Sequence, residues 1–441
     1  MTNETQSTAG VSGKGLSSFV IAQLLIVGVA AAGVAYRYQQ FETAEVVVPP
    51  LLDTPREIPP EPFPAQMEVL GEDQLKRALL KLRPVLNPDT GVAKVDHNLR
   101  FWGVEAEFVD RKYVSGEAMR NVLLDHQAFR ELYGAEDADE KPLLIDVPES
   151  GGIRVRDFDG PLSSSHDDHT MACLSEVGTP LSHPVITPNR RATYRQIVEQ
   201  SFRDFSLNQL EYEWSALTYA LHVKDVNHWT TSEGQTISFD MLADRIMRQE
   251  MPQGVCFGNH RLHTLTVLLR VDDMWEGPTP MLSDRTREDI IAYLRQMSMK
   301  LVDHQHADGF WNSDWPTAKP ASKAPTDVAG DQLSDRIIAT GHALEWWALV
   351  PEKDRQRVLP PDPRVFRDAA QWLVRTIDEL PESDVRRYSA FLSHAGRALA
   401  LWRGKFPHQV DLSEPPADDE NEESPQVDPS DKNSVDETPA E

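Results

Sequence analysis

Five times along this chain, two chemically capable residues stand three positions apart at the head of an apolar run. His166 and His169 precede Thr170 to Leu174, Glu211 and Trp214 precede Ser215 to Leu217, and His260 and His263 precede Thr264 to Leu268. His342 and Glu345 then precede Trp346 to Leu349, and His394 and Arg397 precede Ala398 to Leu401. Six of the fourteen histidines fall in these pairs. A spacing of three puts both members on one helix face. A histidine in a first helical turn also meets the positive end of the dipole, which disfavours imidazolium. Neutral imidazole suits a general base, a proton relay or a metal ligand. Asp167, Asp168, Glu211, Glu213 and Glu345 are placed to orient imidazoles or to act as acids. Proton transfer is therefore the expected chemistry, with His342, Glu345, His166 and His169 as catalytic candidates. His260, His263, Glu211, Trp214, Trp311, Trp346, His394 and Arg397 are the candidates for holding a substrate. Trp229, Trp315 and Trp347 add to the aromatic walls that a sugar or an isoprenoid would need.

No metal and no cofactor is assigned to these pairs. Cys256 with His260 and His263 offers a thiolate and imidazoles of the kind zinc takes, against the plainer reading of Gly254 to Gly258 as a turn. The plainer reading of the whole pattern is that Ser163 to Ser165, Asn259, Thr340 and Ser393 cap helices while the histidines and tryptophans fill a core.

The pairs must be positioned by something that repeats. Their intervals of 45, 49, 82 and 52 residues fit one helical hairpin with its loops, the long one containing an insertion. Each apolar run is hydrophobic on all sides and reads as an inner helix. The stretches before them are amphipathic, as in Ile290, Ile291, Leu294, Met297, Leu301 and in Val365, Trp372, Leu373, Ile377, Leu380, and read as outer helices. The expected fold is all-α: a toroid of five or six helical hairpins over residues 116–406, the polar starts of its inner helices gathered at one end. Residues 67–115 are expected to dock on its flank through Trp102 and Phe108. Leu143 to Phe158 reads as a strand pair around a Val147–Gly152 turn.

Three short segments carry family resemblances. Gln305-His-Ala-Asp-Gly309-Phe-Trp311 resembles the glutamine-tryptophan repeat of squalene and hopene cyclases. There the glutamine ties an outer helix end to the next hairpin and the tryptophan wedges between hairpins, so the resemblance implies a structural role and an α/α toroid. The acidic Asp-x-Asp-Asp proton donor of those cyclases is absent from this chain. Asp168-His169-Thr170-Met-Ala-Cys-Leu174-Ser175 looks like the zinc-histidine segment of protein prenyltransferase β subunits. The Asp-x-Cys element that supplies that family's other ligands is not found. Gly341-His342-Ala-Leu-Glu345-Trp346 is similar to a segment of the N-acylglucosamine and cellobiose 2-epimerases, where the histidine shuttles a proton at a sugar carbon.

The net charge of −26 is uneven, with twelve acidic residues against one lysine from Asp411 to Glu441. Nucleic acid is excluded as a partner, because counterion release needs clustered Lys and Arg. Two cysteines allow no disulfide framework. Residues 17–36, after a 1–16 tail, run without a charge for the length of a bilayer and are expected to anchor the chain, a cleaved signal peptide being the rival. The seven prolines from Pro49 to Pro64 predict an extended spacer over 37–66. Residues 407–441 read as a disordered tail. The functional expectation is a single-pass, exported enzyme acting on a carbohydrate or polyol. A scaffold toroid and an isoprenoid enzyme stand as alternatives.

Overall fold

The computed structural model describes residues 13–41, 46–64, 69–209, 211–317 and 330–413. The acidic segment 414–441 lies outside the described residues. Residues 407–413, counted with that tail in the sequence reading, instead pack on the protein: Pro407 and Val410 are buried, and the His408 ring bonds to the Trp102 carbonyl.

Helix α1 spans Gly13–Phe41, and its apolar side chains from Val20 to Tyr36 stand exposed. Among the described residues no helix is long and apolar enough to cross a membrane, so the expected span gains no support from α1.

Most of the remaining described residues are helical, and the longer helices among them follow one another as six pairs of one partly and one almost wholly buried member. The first pairs α2 (Glu72–Lys81) with α3 (Val92–Trp102). In the second, α4 (Gly116–Leu124) and α5 (His126–Tyr133) precede α6 (His169–Glu176). Next come α7 (Tyr194–Asp204) with α8 (Glu213–His222), and α9 (Phe239–Arg248) with α10 (Asn259–Asp273). The last two are α11 (Asp284–His304) with α12 (Gly330–Ala348), and α13 (Arg364–Glu379) with α14 (Ser389–Trp402). Three antiparallel strand pairs lie in the loops, among them Leu144–Val147 with Gly152–Val155 where the turn signal put one.

The division into outer and inner follows burial. α8 is buried at every position and α10 from Asn259 to Val271, whereas α13 buries one stripe, Val365, Phe366, Ala369, Leu373 and Ile377. The inner helices pack in a closed circuit: α3 on α6, α6 on α8, α8 on α10, α10 on α12, α12 on α14, and α14 back on α3. The segment 67–115 thus differs from its expected place on the flank, since α3 is a member of the circuit.

Outer helices α4, α9 and α11 are capped by Ser115, Ser238 and Ser283. The inner helices α3, α6, α8, α10 and α14 have no side-chain cap. Serine and asparagine near their starts bond elsewhere, so the capping alternative does not explain these polar residues. Gln305 Nε2 donates to the carbonyl of Val365 at the head of α13 (2.8 Å). Trp311 donates to the Leu301 carbonyl and packs on Trp347.

The proline-rich segment is extended, but it is no free spacer. Its backbone bonds to the C-terminal end of α8: Leu52 N–H to the His222 carbonyl (2.7 Å), and Arg56 N–H to Leu221 (3.0 Å). Arg270 donates to the Pro59 carbonyl, and Arg355 donates to those of Glu61 and Pro62. Phe63 stacks on Trp402 at 4.1 Å under the Arg355 guanidinium. Proline dictates extension but not whether the extended chain finds a surface. A Phe63→Ala variant is expected to lose about 1–3 kcal/mol of unfolding free energy in urea titrations, the scale for a partly buried aromatic. An unchanged midpoint would mean that the strap is only draped on the domain.

Candidate functional site

Each inner helix contributes one ring to a buried layer. His97 lies 4.7 Å from His169 between centroids, His169 4.5 Å from Trp214, and Trp214 4.1 Å from His260. His260 lies 4.4 Å from His342, His342 3.6 Å from His394, and His394 5.1 Å from His97, which closes the circle. Two glycines permit the tightest part of it. A Cβ on Gly341 would lie 2.8 Å from the Ala395 nitrogen, and one on Gly396 2.4 Å from the Phe101 ring. α14 can therefore approach both α12 and α3 closely enough to bring its histidine into the layer.

One turn further along α3, α10, α12 and α14, and about two turns along α6, lies a second layer, of charge. Arg100 bonds Glu176 through Nε (2.5 Å) and pairs with Glu345 through Nη1 (2.8 Å). Arg397 bonds Glu345 and pairs with Glu176 at 3.3 Å. His263 Nε2 sits 3.0 Å from Glu176, and His394 Nδ1 2.9 Å from Glu345. A step toward the C-terminus leads from the ring layer to the charge layer on α3, α6, α10, α12 and α14 alike, so these five helices run in one direction.

Burial pushes the carboxyls of Glu345 and Glu176 up, but the two guanidinium groups outweigh it and hold both well below the usual carboxylate range. Burial also drives His97, His169, His260 and His394 well below the ordinary imidazole value. Desolvation is the leading cause at each of these four, and His342 is lowered in the same way. His342 lies in the second half of α12 and His394 in the second turn of α14, so desolvation rather than a first-turn dipole acts there.

The structure thus gathers His169, Trp214, His260, His263, His342, Glu345, His394 and Arg397. It does not make them an open site: His342 is 2 % exposed and Glu345 1 %. The centre is filled by their own side chains. Trp311 and Trp346 are wedged in the core outside the two layers, Trp229, Trp315 and Trp347 are likewise buried, and none of the five lines a substrate wall. The sequence reading missed Asp96, His97 and Arg100 of α3. His97 and Arg100 repeat the three-residue spacing of His394 and Arg397, but the apolar run after them is cut short at Gly103. Asp96 is wholly buried, accepts from Thr170 and lies 3.3 Å from His169, and burial pushes its carboxyl up to about 7.

Beyond the ring layer, at the head of α6, a cleft of about 400 Å³ opens between Asp157, His166, Asp167, His169 and Gln209. His166 Nδ1 is 2.7 Å from Glu211, both partly exposed. Burial and the nearby carboxylates of Asp157, Asp168 and Glu211 push the Asp167 carboxyl up to about 6. Asp168 takes a left-handed conformation (φ 56°) and accepts from Ser201 and Ser215. Next to the cleft residue Asp157, Phe158 is 63 % exposed, also left-handed (φ 48°), with its ring edge-on to His166. At the opposite end, Thr54 and Glu57 of the strap border a cavity of about 300 Å³ with Arg100, Glu176 and Arg397.

Metal-type donors also converge. One donor atom each from Cys256, His260 and His342 lie within 4.8 Å of one another, as do those of His342, Glu345 and His394. His342, not the expected His263, joins Cys256 and His260, because His263 turns one step deeper to Glu176.

Glu345→Gln is expected to lower the unfolding free energy by about 3–5 kcal/mol, since removing one member of a buried ion network strands its partners. Glu211→Gln at the exposed pair should cost no more than about 1 kcal/mol. Equal small losses in urea unfolding would show that the network does not hold the inner helices together.

No family model matches this chain, and neither a curated protein nor a solved structure matches it, so its chemistry is read from this arrangement alone.

Proposed function

We propose that the chain is an α/α toroid enzyme that acts on a carbohydrate or similar polyol by proton transfer, at the cleft heading α6 rather than in the ring's centre. The toroid reading draws support from the closed circuit of inner helices and their shared direction. The observation that carries the chemistry is the pairing, in one cleft, of a carboxylate-oriented imidazole with a carboxyl raised to about 6. A carboxylate-oriented imidazole beside a carboxyl that burial inclines to keep its proton divides the site into base and acid. In this reading His166, oriented by Glu211, takes the proton of a hydroxyl or water whose oxygen bonds to a sugar carbon, while that carbon's bond to the departing oxygen breaks and Asp167 gives the departing oxygen its proton. Phe158 offers an exposed face for a sugar ring to lie on. Attachment to a membrane through α1 belongs to the same proposal and rests on the exposed apolar side chains from Val20 to Tyr36.

A second reading, a non-catalytic toroid, is favoured by the filled centre. The isoprenoid reading finds no support there, since the centre is polar.

Calorimetry and product analysis against a panel of oligosaccharides and polyols decide between the two. A ligand of the wild-type protein is expected to bind at least about tenfold more weakly to Phe158→Ala, and turnover to fall about a hundredfold or more in His166→Ala and Asp167→Asn. Asp167 is an acid that burial raises above the ordinary carboxyl value of 3.8, so it keeps its proton at lower pH and loses it as pH rises through about 6. Turnover should fall over the same range, and Asp167→Asn should remove that limb. Binding and turnover indifferent to all three changes would sink the assignment.

A further inference from the structure

We propose that Cys256, His260 and His342 form a binding site for a zinc-class divalent transition-metal ion, with Glu345 orienting His342 from behind. The inference is independent of the acid–base cleft.

The first support is a set of unmet polar groups. Neither ring nitrogen of His260 has a hydrogen-bond partner, although the residue is 2 % exposed, and Nε2 of His342 has none either. A buried polar group without a partner costs about 1–3 kcal/mol, and one ion shared by His342 Nε2 and one nitrogen of His260 would relieve two of them. His342 Nδ1 faces Glu345 Oε2 at 3.4 Å. That leaves Nε2 as the nitrogen it can offer, the carboxylate–histidine arrangement that commonly backs a metal-bound imidazole.

The second support is backbone strain at the thiol. Cys256 and Phe257 are consecutive non-glycine residues in the left-handed region, with φ of 49° and 62°. Each such residue costs about 1 kcal/mol or more and persists only where its surroundings impose it. Here the surroundings do: Asn259 Nδ2 donates to the Cys256 carbonyl (3.0 Å), and Gly258 abuts the Met251 carbonyl with no room for a Cβ. The result is a thiol held over the start of α10, within reach of the two imidazoles.

Distances fit a modest closure. A tetrahedral zinc ion with bonds of about 2.3 Å to sulfur and about 2.0–2.1 Å to nitrogen sets its donors about 3.3–3.6 Å apart. The three donors lie within 4.8 Å of one another, so shifts of about an ångström bring them to an ion. One thiolate and two imidazoles suit zinc better than magnesium or calcium, which take oxygen. The neighbouring trio of His342, Glu345 and His394 is the weaker candidate. Glu345 already serves both arginines and both histidine Nδ1 atoms, so its oxygens are committed.

The test uses the full chain, stripped with chelator and titrated with Co²⁺ and then Zn²⁺. About one equivalent of Co²⁺ should bind with a thiolate-to-metal charge-transfer band, displaced by one equivalent of Zn²⁺. Cys256→Ser should lose the band and His260→Gln should weaken binding at least about tenfold. Cys173→Ser, which changes the other cysteine, should leave both intact. Absence of the band in the wild-type protein, or its persistence in Cys256→Ser, overturns the proposal. The wild-type spectrum decides even if a variant fails to fold.

Discussion

Glu345 is the point through which four of the six inner helices are tied. Its carboxylate meets Arg100 of α3, Arg397 of α14 and His394 of α14, while standing on α12, and Arg100 and Arg397 carry the link on to Glu176 of α6. Two cations and two anions nearly cancel in a region shut off from water. That balance is what lets so much charge be buried, since an isolated ion there would cost several kcal/mol. A hydrophobic plug could fill the same space, but it would not distinguish one rotation of a helix from another. Directional bonds do, and they fix which face of each helix looks inward. The ring layer depends on this, because the histidines one or two turns away share those faces.

The filled centre and the open cleft divide the chemistry between them. Desolvation that keeps the inner imidazoles neutral also keeps substrate away from them. At the head of α6 the same polar sequence emerges into a partly wet cleft, where His166 and Asp167 can meet a ligand. The strained backbone of Phe158, Asp168, Cys256 and Phe257 lies in the loops that reach over the inner helix heads. Such conformations persist where surrounding bonds over-determine them, as Ser201 and Ser215 do for Asp168.

What the sequence made legible was periodic. The i, i+3 pairs named inward faces because helical geometry repeats whatever the tertiary context, and all-round apolarity separated inner from outer runs. What it hid depended on partners remote in sequence. Nothing local in Pro49 to Pro64 states that Arg270 and Arg355 await its carbonyls, so an extended segment read as a spacer. Nothing local in His342 and Glu345 states that Arg100, more than two hundred residues earlier, closes over them, so a buried core read as an open site. α3 escaped because its apolar run stops at Gly103, although its His97 and Arg100 obey the common spacing. The cleft was half visible: His166, Glu211 and Asp167 were marked, but the burial that raises Asp167 and the exposure of Phe158 arise from loop geometry.

The strap also sets an order of events during synthesis. It leaves the ribosome before every surface it will cover, and 293 residues separate Pro62 from its partner Arg355. The guanidinium that clamps it and the indole under Phe63 both belong to the last third of the chain. The Glu61 to Phe63 end of the strap must therefore wait, unpaired, until the final hairpins exist, and its docking is a late, long-range closure of the kind that slows folding. Its prolines suit that wait. A chain already stiffened in an extended form loses little further entropy when it is laid down, and without amide hydrogens at those positions it makes a poor template for premature strand pairing.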